Sequence, residues 1–362
     1  MYSPEVRRRV HNTTEPDVII ARGEGDRNTY FPDLVRLRGG DLLAVHYGST
    51  QHMHTPDSTI RLVHGTADGR LWDDPRTVVD TPGMDDRDPS VCQLDAGRIM
   101  ITWFRRDPLD LESPVGGVLT IHSDDDGRTW SEPIGVGTSL YRGATTAPPI
   151  ELADGRLLLP MYGFHSDQDR TYAVRIAVSP DRGASWDVAA EVSVPMPAEP
   201  GVGLVEPELA DLGDGKLLMV IRSRNHPENL AYATRSDDAG TTWQVPRPLD
   251  FPGHAPNLLP LPGPEDTLRL LLTWGEYRAD DTSTRPVLGR LVDGHDPDLA
   301  GETFEIYAHP GTFDMSYPSA ALVDPTTALV IHYDADRRQI AGTFVAVDQP
   351  QGRPTTSSAP RS

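Results

Sequence analysis

The sequence contains a single cysteine, Cys92, among its 362 residues. One cysteine excludes an intramolecular disulfide and a thiolate metal cluster, and we expect it to be a buried structural residue. Apolar runs are short as well, since none approaches the roughly 18 residues that cross a bilayer. The histidines are scattered, and neither a short His or Cys ligand spacing nor a phosphate loop or dinucleotide fingerprint occurs. We therefore expect a soluble protein with no metal and no cofactor.

Positive charge is also scarce, with 33 Lys and Arg against 54 Asp and Glu and a formal net charge of -21. A field of that sign disfavours nucleic acid and anionic membranes as partners. Residues 1–17 contain Arg7, Arg8 and Arg9 but no apolar stretch, so we predict no export signal. Together with the lone cysteine, this predicts a cytoplasmic protein. No feature predicts the oligomeric state.

What the sequence does contain is a repeated turn motif. Ser-x-Asp-x-Gly-x-Thr-Trp, the Asp box, occurs complete at 123–130 and 236–243, and the copy at 179–186 differs only by Ser in place of Thr. A degenerate fourth copy spans 65–72, and the four tryptophans are spaced 58, 56 and 57 residues apart. The Asp and Ser suit turn amides, the Gly a positive φ and the Trp packing between sheets. We assign the motif a structural role.

A second repeat consists of a proline near the start of an apolar run, a turn usually containing Asp-Gly or Gly-Gly, and another apolar run. Its six copies begin near Pro32, Pro89, Pro148, Pro207, Pro256 and Pro318. Each copy has the pattern of strand, tight turn, strand. Adding the two strands that each turn motif joins gives four strands per repeat. We therefore predict an all-β fold, a six-bladed β-propeller of four-stranded antiparallel blades, with a sandwich or an open solenoid as the alternatives.

The repeats place a single domain over residues 1–348. The apolar run 18–22 is expected to complete the last blade and so close the ring. The tail 349–362 is rich in Pro, Ser and Thr, and we expect it to be disordered.

The hairpins also predict one functional face. Residues just before the first strand and just after the second strand of each hairpin share a face, and they meet near the axis. These positions supply the candidates for catalysis or substrate binding: Tyr30, Asp33, Arg87, Asp88, Tyr162, His165, Glu206, Arg222, His254, Arg278, Asp314 and Tyr317. Converging charges must be solvated or paired, so we interpret this set as a ligand site. The alternative is a ring of ion pairs around a water-filled channel.

The two repeats together resemble the sialidase (neuraminidase) superfamily over essentially the whole chain. In that family a Glu opens the first strand of one blade and an Arg closes the second, as Glu206 and Arg222 do in VEPELADLGDGKLLMVIR. The family's tyrosine nucleophile begins the last blade, where DMSYPSAALV places Tyr317. The resemblance implies an exo-glycosidase in which Glu206 accepts the proton of Tyr317 while guanidinium groups clamp a substrate carboxylate. Arg222 and Arg278 are the candidates for the clamp.

Two departures from the family pattern concern the substrate and the acid. The family begins its first blade with Tyr-Arg-Ile-Pro, and its Arg binds the substrate carboxylate, whereas this chain has YFPD. Arg87, at the start of the next blade, is the candidate replacement. The family's general acid is an Asp in the loop after the first hairpin, where this chain offers His52, His54 and Asp57. Asp57 lies close to the next strand, which it is expected to cap, so the two histidines are the candidates. Asp88 from the neighbouring blade is the other candidate for the acid.

Three functions stay open. The first is a glycoside hydrolase that removes a terminal, acidic sugar with retention through Tyr317. The second is a polysaccharide lyase or another sugar-modifying enzyme, because Tyr, His and Arg around a uronate also suit proton abstraction and elimination. The third is a propeller that binds a glycan or a small molecule without turnover.

Overall fold

The computed structural model is an all-β protein. It describes residues 13–110, 112–113, 116–262, 268–278 and 283–347, together with the backbone of Arg7 and Arg8. Within these ranges the helical content is a short 3-10 helix, Val188–Ala190, and no helix is long and apolar enough to cross a membrane. The tail 349–362 lies outside the described residues, so its predicted disorder stays a prediction.

Twenty-five strands are found in the described part of the chain. The first thirteen are β1 (Arg7–Arg8), β2 (Val18–Arg22), β3 (Asn28–Arg36), β4 (Leu42–Ser49), β5 (Thr59–Gly65), β6 (Arg76–Asp80), β7 (Asp85–Gln93), β8 (Ile99–Arg106), β9 (Gly116–Ser123), β10 (Ile134–Val136), β11 (Tyr141–Ala144), β12 (Ile150–Glu151) and β13 (Leu157–Phe164). The others are β14 (Tyr172–Ser179), β15 (Val192–Ser193), β16 (Gly203–Asp211), β17 (Leu217–Arg224), β18 (Leu230–Ser236), β19 (Arg247–Leu261), β20 (Arg269–Glu276), β21 (Val287–Asp293), β22 (Thr303–Tyr307), β23 (Met315–Asp324), β24 (Thr327–Asp334) and β25 (Gln339–Ala346).

Three sheets have the predicted four-stranded order, namely β3-β4-β5-β6, β7-β8-β9-β10 and β23-β24-β25-β2. A fourth sheet has five strands, because β11 and β12 both pair with β13. Strand β2 pairs antiparallel with β25, although the two lie at opposite ends of the chain. The prediction that residues 18–22 complete the last sheet is confirmed.

The prediction of six separate four-stranded sheets is met only in part, because the remaining sheet contains eight strands. Its order is β1-β22-β21-β20-β19-β18-β17-β16. The long strand β19 explains the fusion: its first half pairs with β18 up to Pro252, and its second half pairs with β20 from Gly253 onward. One uninterrupted strand therefore serves two hairpin units where the sequence pattern predicts two strands.

The first strands of all six hairpin units surround one cavity of about 480 Å³. Residues of β3, β7, β16, β19 and β23 line it, together with residues 148–150. Side chains link neighbouring strands around it: the Ser319 hydroxyl donates to Asp33 Oδ1 at 2.6 Å, and the Asn257 amide donates to Glu208 Oε1 at 3.2 Å. We call this space the axial cavity.

The two ends of each hairpin unit are chemically different. In the first unit, Asn28 at the start of β3 pairs with Ser49 at the end of β4, whereas Leu42 at the other end pairs with Gly65 beside the turn 66–72. We call the end at which first strands begin and second strands end the mouth. The end that carries the repeated turn motifs is the turn end.

The repeated turns form as the sequence predicts. Asp125 Oδ1 accepts the backbone N–H of Thr129 at 2.8 Å, and Ser123 Oγ accepts the N–H of Gly127 at 2.8 Å. Gly127 has a φ of 79°, a conformation that glycine adopts without a Cβ clash. The copies centred on Asp181 and Asp238 repeat both bonds. The structural role of the motif is confirmed.

Packing between hairpin units follows the expected pattern, with one exception. Trp186 and Trp243 are buried in hydrophobic clusters, each formed by two neighbouring units. Cys92 was expected in the core, but it is a free, half-buried thiol on the wall of the axial cavity. Cys92 packs against the cluster that contains Trp186, but it also borders the axial cavity, which leaves it partly accessible.

Candidate active site

Five of the six first strands carry the same backbone irregularity at the mouth. The residue before the proline has a positive φ in each: Phe31 (46°), Asp88 (49°), Glu206 (52°), Ala255 (47°) and Tyr317 (50°). A β-bulge interrupts the pairing register at the same places. Such a backbone costs about 1–3 kcal/mol per residue, and a bulge re-aims the side chains that flank it. Five of the first strands therefore carry a strained residue where candidate site residues lie.

Glu206 connects the two other residues with which the sequence pairs it. Its Oε1 atom accepts one hydrogen bond from the Tyr317 hydroxyl and one from Arg222 Nη1, both at 2.7 Å. Burial, reinforced by the nearby Glu206 carboxylate, raises the pKa of Tyr317 well above its ordinary value. The phenol is therefore protonated, and Glu206 is positioned to accept its proton.

A second bonded group lies beside this pair. The His52 ring nitrogen Nδ1 is 2.9 Å and 3.0 Å from the two carboxylate oxygens of Asp314, and the Tyr333 hydroxyl donates to Asp314 Oδ1 at 2.8 Å. Burial alone would raise the pKa of Asp314, but these hydrogen bonds hold it below its ordinary value. The ring of His52 is 5.0 Å from that of Phe31 and 5.2 Å from that of Tyr30.

Asp88 and Arg87 occupy the start of β7. Burial raises the pKa of Asp88 to about 6, even though Arg87 acts in the opposite direction. The nearest approach between the two side chains is 3.9 Å, which is too long for a hydrogen bond. His54 lies exposed at the rim. Partial loss of solvent around its ring, and then the charge of Arg87, lower its pKa.

Two further predicted residues lie near this group: His254 is beside the ring of Tyr317, and Tyr162 is near the carboxylates of Glu206 and Asp88. The ring of His254 is 5.0 Å from that of Tyr317, and burial together with Arg222 lowers the pKa of His254 well below its ordinary value. His254 is therefore a neutral neighbour. Burial raises the pKa of Tyr162 well above its ordinary value, and the carboxylates of Glu206 and Asp88 add to this effect.

Three predicted site residues lie away from this cluster. The bulge at residues 31–32 turns Asp33 into the axial cavity, where its pKa is raised by burial to about 6. His165 stands on an exposed loop with a ring nitrogen 3.3 Å from Arg175. The Arg278 side chain is 39% exposed and contacts Glu276 at 3.2 Å. The regular alternation assumed from the sequence does not hold where bulges and loops intervene.

Two residues that the sequence reasoning missed take their place. Phe31 packs against Tyr317 at a ring distance of 4.8 Å, and the Phe-Pro pair at the start of a strand was the available signal. Arg285 precedes the third strand of its unit, whereas the search covered only first and second strands. It is buried, and its guanidinium lies 5.2 Å from the ring centre of Tyr277, which the Arg222 guanidinium also approaches at 5.6 Å.

Metal binding has no support in the described residues. No group of three or more His, Cys, Asp and Glu side chains among them is arranged to hold an ion. The expected independence from metals and cofactors stays a prediction.

Comparison with known families then identifies the chain. Residues 40–321 match the family described as the BNR repeat-like domain. The chain belongs to this family. A sialidase of Paraclostridium sordellii is 27% identical over 274 residues, which are 66% of this chain and 64% of the relative. The matched part thus spans less than two thirds of that sialidase. The predicted membership of the sialidase-like superfamily is confirmed.

Solved structures extend the comparison of this BNR repeat-like domain to its fold. A protein of unknown function from Dyadobacter fermentans superposes with a TM-score of 0.79 at 21% identity, covering 92% of this chain and 99% of the other. The GH93 alpha-L-arabinofuranosidase of Fusarium graminearum, solved with arabinobiose, gives 0.68 at 13% identity and covers 93% and 99%. At these identities the likeness concerns the fold alone.

Proposed function

We propose that this BNR repeat-like domain is a closed six-bladed β-propeller. Six first strands line the axial cavity, which is the arrangement that radial closure requires. In this arrangement β19 forms the outer strand of one blade and the inner strand of the next, so the eight-stranded sheet counts as two blades. Strand β2 then closes the ring through its pairing with β25.

We propose that the domain is a sialidase-like exo-glycosidase that removes a terminal, acidic sugar with retention. The observation that carries this proposal is Glu206 Oε1, which accepts hydrogen bonds from both Tyr317 and Arg222. Tyr317 Oη would attack the anomeric carbon while its proton passes to Glu206 and the glycosidic bond breaks. A general acid protonates the departing oxygen. Water then hydrolyses the tyrosyl-sugar bond: the same residue, now a base, takes a proton from the water, and Glu206 returns its proton to Tyr317. A neutral nucleophile avoids repulsion from an acid group next to the anomeric carbon.

The acid group of the sugar would be bound by Arg222 and Arg285. Both guanidinium groups border the ring of Tyr277, at 5.6 Å and 5.2 Å from its centre. Glu206 occupies one donor of Arg222, whereas Arg285 makes no hydrogen bond to any other described residue and its buried Nε atom has no partner. A buried guanidinium without acceptors is unfavourable, and a carboxylate supplies them in paired geometry.

His52 is the proposed general acid. Asp314 holds its Nδ1 atom, which leaves Nε2 as the donor for a departing oxygen. The His52 side chain is 33% exposed, as a group serving an aglycone that enters from solvent requires. Its ring and that of Tyr317 both pack against Phe31, so acid and nucleophile border one space. Asp88 is buried, and we assign it to binding a sugar hydroxyl.

A screen of aryl glycosides tests the proposal. The panel should contain sialic acid, uronic acids and neutral arabinofuranose as the glycone, with Glu206→Gln as the control protein. We expect an acidic glycoside to be cleaved with retention, as followed by NMR, and the control to lose turnover. An unsaturated product that absorbs in the ultraviolet would establish the lyase instead. Cleavage of the arabinofuranoside alone would contradict an acidic substrate.

A further inference from the structure

Arg87 is a nearly buried cation without hydrogen bonds. Its side chain is 11% exposed, and it donates no hydrogen bond to any other residue that the structure describes. The closest carboxylate oxygen, in Asp88, is 3.9 Å away, and the buried Nε atom has no partner. A guanidinium has five N–H donors, and leaving them unused in a buried place is strongly unfavourable. A bound acceptor would satisfy them.

The rings around Arg87 hold its guanidinium beside the proposed nucleophile. The guanidinium carbon lies 5.7 Å from the ring centre of Phe31 and 5.5 Å from that of Phe104. Phe31 also packs against Tyr317, at a ring distance of 4.8 Å. Arg87 is therefore separated from Tyr317 by one aromatic ring. A substrate whose cleaved bond lies at Tyr317 would therefore also carry the group that binds Arg87.

Two more arginines, Arg106 and Arg142, lie on this side of the mouth. Arg106 donates to the backbone carbonyls of Arg142 and Gly143, at 2.7 Å and 2.8 Å, and its guanidinium shares the Phe104 ring with Arg87. Burial, together with the charges of Arg142 and Arg87, lowers the pKa of Arg106 to about 10. Arg142 is 3.5 Å from the exposed Glu112, whereas Asp85 and Asp88 are the carboxylates near Arg87. Asp85 already accepts hydrogen bonds from the Tyr47 hydroxyl and the backbone of His54.

Arg87 has different neighbours from the third-strand arginine of the clamp. Arg285 lies against Tyr277 and Phe313, whereas Arg87 lies against Phe31 and Phe104. The two ring pairs share no member. We take this difference as the ground for assigning Arg87 an acceptor of its own, and the second test below decides whether it shares the first one.

We propose that Arg87 binds a second oxyanion of the substrate, a carboxylate or a sulfate ester. This inference rests on the proposed function and narrows its substrate class to glycans that carry two acidic groups next to the cleaved bond. Arg222 and Arg285 bind the first acidic group, and Arg87 binds the second. Arg106 holds the segment 142–143 in place and adds positive charge.

The first test needs no turnover and uses inorganic sulfate as the probe. The unfolding temperature is measured in sodium sulfate and in sodium chloride at equal ionic strength, for wild type, Arg87→Gln and Arg87→Lys. The control is Arg70→Gln, because Arg70 lies 4.6 Å over the ring of Phe344 at the turn end. We expect the sulfate-specific increase to fall by about half in Arg87→Gln, to fall less in Arg87→Lys and to stay unchanged in Arg70→Gln. Equal increases in wild type and Arg87→Gln would overturn the proposal.

The second test compares aryl glycosides that carry one acidic group with analogues that carry a second one, either carboxylate or sulfate. We expect Arg87→Gln to lower kcat/KM for the doubly acidic substrate by roughly 10–100-fold, the value of a charged hydrogen bond, and to change the singly acidic one by less than about threefold. An equal loss on both would show that Arg87 serves the first acid group and would contradict the proposal. If no glycoside is cleaved by any protein, the proposed function fails while the sulfate test still decides the role of Arg87.

Discussion

The two ends of the hairpin units use the same residue types in opposite ways. At the turn end, Asp125 accepts hydrogen bonds from Ser123 Oγ, Thr129 N and Thr129 Oγ1, all within 2.8 Å. At the mouth, Arg87, Arg285 and one oxygen each of Glu206 and Asp88 are buried without partners. Folding therefore satisfies the Asp and Ser side chains of the turns locally, although the indole N–H groups of Trp130 and Trp186 have no partner among the described residues. At the mouth it is charged groups that stay buried without partners. A polar residue in a repeat is structural where its bonds are local and complete.

The same contrast appears in the carboxyl groups. Hydrogen bonds from Thr129 and Ser123 lower the pKa of Asp125 to about 2, whereas burial raises the pKa of Asp88 to about 6. Ionisation is thus stabilised at Asp125 and opposed at Asp88. Perturbation by burial in a charged cleft is typical of functional sites.

The largest effect is expected from removing the Tyr317 hydroxyl. Because it is the proposed nucleophile, Tyr317→Phe should lower kcat on an acidic glycoside by at least about 10³-fold while Glu206 keeps its bond to Arg222. Steady-state kinetics measures the loss. Tyr141→Phe is the matched control, since its hydroxyl bonds to the exposed Glu112. Unchanged turnover in Tyr317→Phe would remove Tyr317 from the mechanism.

The next effect separates Arg285 from Arg278, two arginines that follow β20. Arg285→Gln should raise KM for an acidic glycoside by roughly 10–100-fold, because a buried, paired contact to the carboxylate is lost. Arg278→Gln should change KM by less than about twofold, since that side chain is partly solvated and already contacts Glu276. Initial-rate kinetics on both variants decides between them. A larger effect for Arg278 would contradict the placement of the clamp.

A stability experiment compares the carboxyl groups at the two ends. The pKa of Asp88 is raised in the folded protein, so its favourable contribution is present at low pH and lost as the pH rises through about 6. Between about pH 3 and about pH 8, the free energy of unfolding of Asp88→Asn should therefore gain about 3 kcal/mol relative to wild type.

Asp125→Asn should show the opposite sign. The pKa of Asp125 is lowered in the folded protein, so its contribution is present above its ordinary value near 4 and is lost as the pH falls through about 2. The variant should be less stable than wild type at neutral pH and should approach it in acid. Urea unfolding at a series of pH values measures both variants, and equal signs would break the contrast between the two ends.

The smallest effect is expected at His165. Its ring contacts Arg175 on an exposed loop, away from Tyr317 and the clamp. His165→Ala should leave kcat/KM within about twofold of wild type, because no bond to the substrate is lost. A loss as large as that of Arg285→Gln, measured on the same glycoside, would place His165 in the site after all.

The hairpins, the repeated turns and the contact between Glu206, Tyr317 and Arg222 could be predicted from the sequence. The hairpins and turns depend on local rules, namely strand alternation and turn chemistry that recur at fixed spacing. The contact depends on positions at strand ends, which converge once the strands surround one axis. Neither prediction requires detailed knowledge of the backbone.

The placement of Asp33, Arg278 and Arg285 could not be predicted in the same way. A bulge before the proline reverses the alternation of side chains, so Phe31 rather than Asp33 lies beside Tyr317. Arg285 precedes a third strand, whose position depends on the packing of the whole sheet. A rule that places a bulge at the residue before the strand proline would have predicted Phe31 beside Tyr317. The continuity of β19 across two units has no such local signal.

Covalent trapping tests the central claim most directly. Wild type is incubated with a fluorinated glycosyl fluoride of the acidic sugar that the glycoside screen identifies, and the labelled peptide is located by mass spectrometry. We predict one sugar attached to the hydroxyl of Tyr317, and no label on Tyr317→Phe. Attachment to Glu206 or to another carboxylate would contradict the assignment of Tyr317 as the nucleophile and Glu206 as its base.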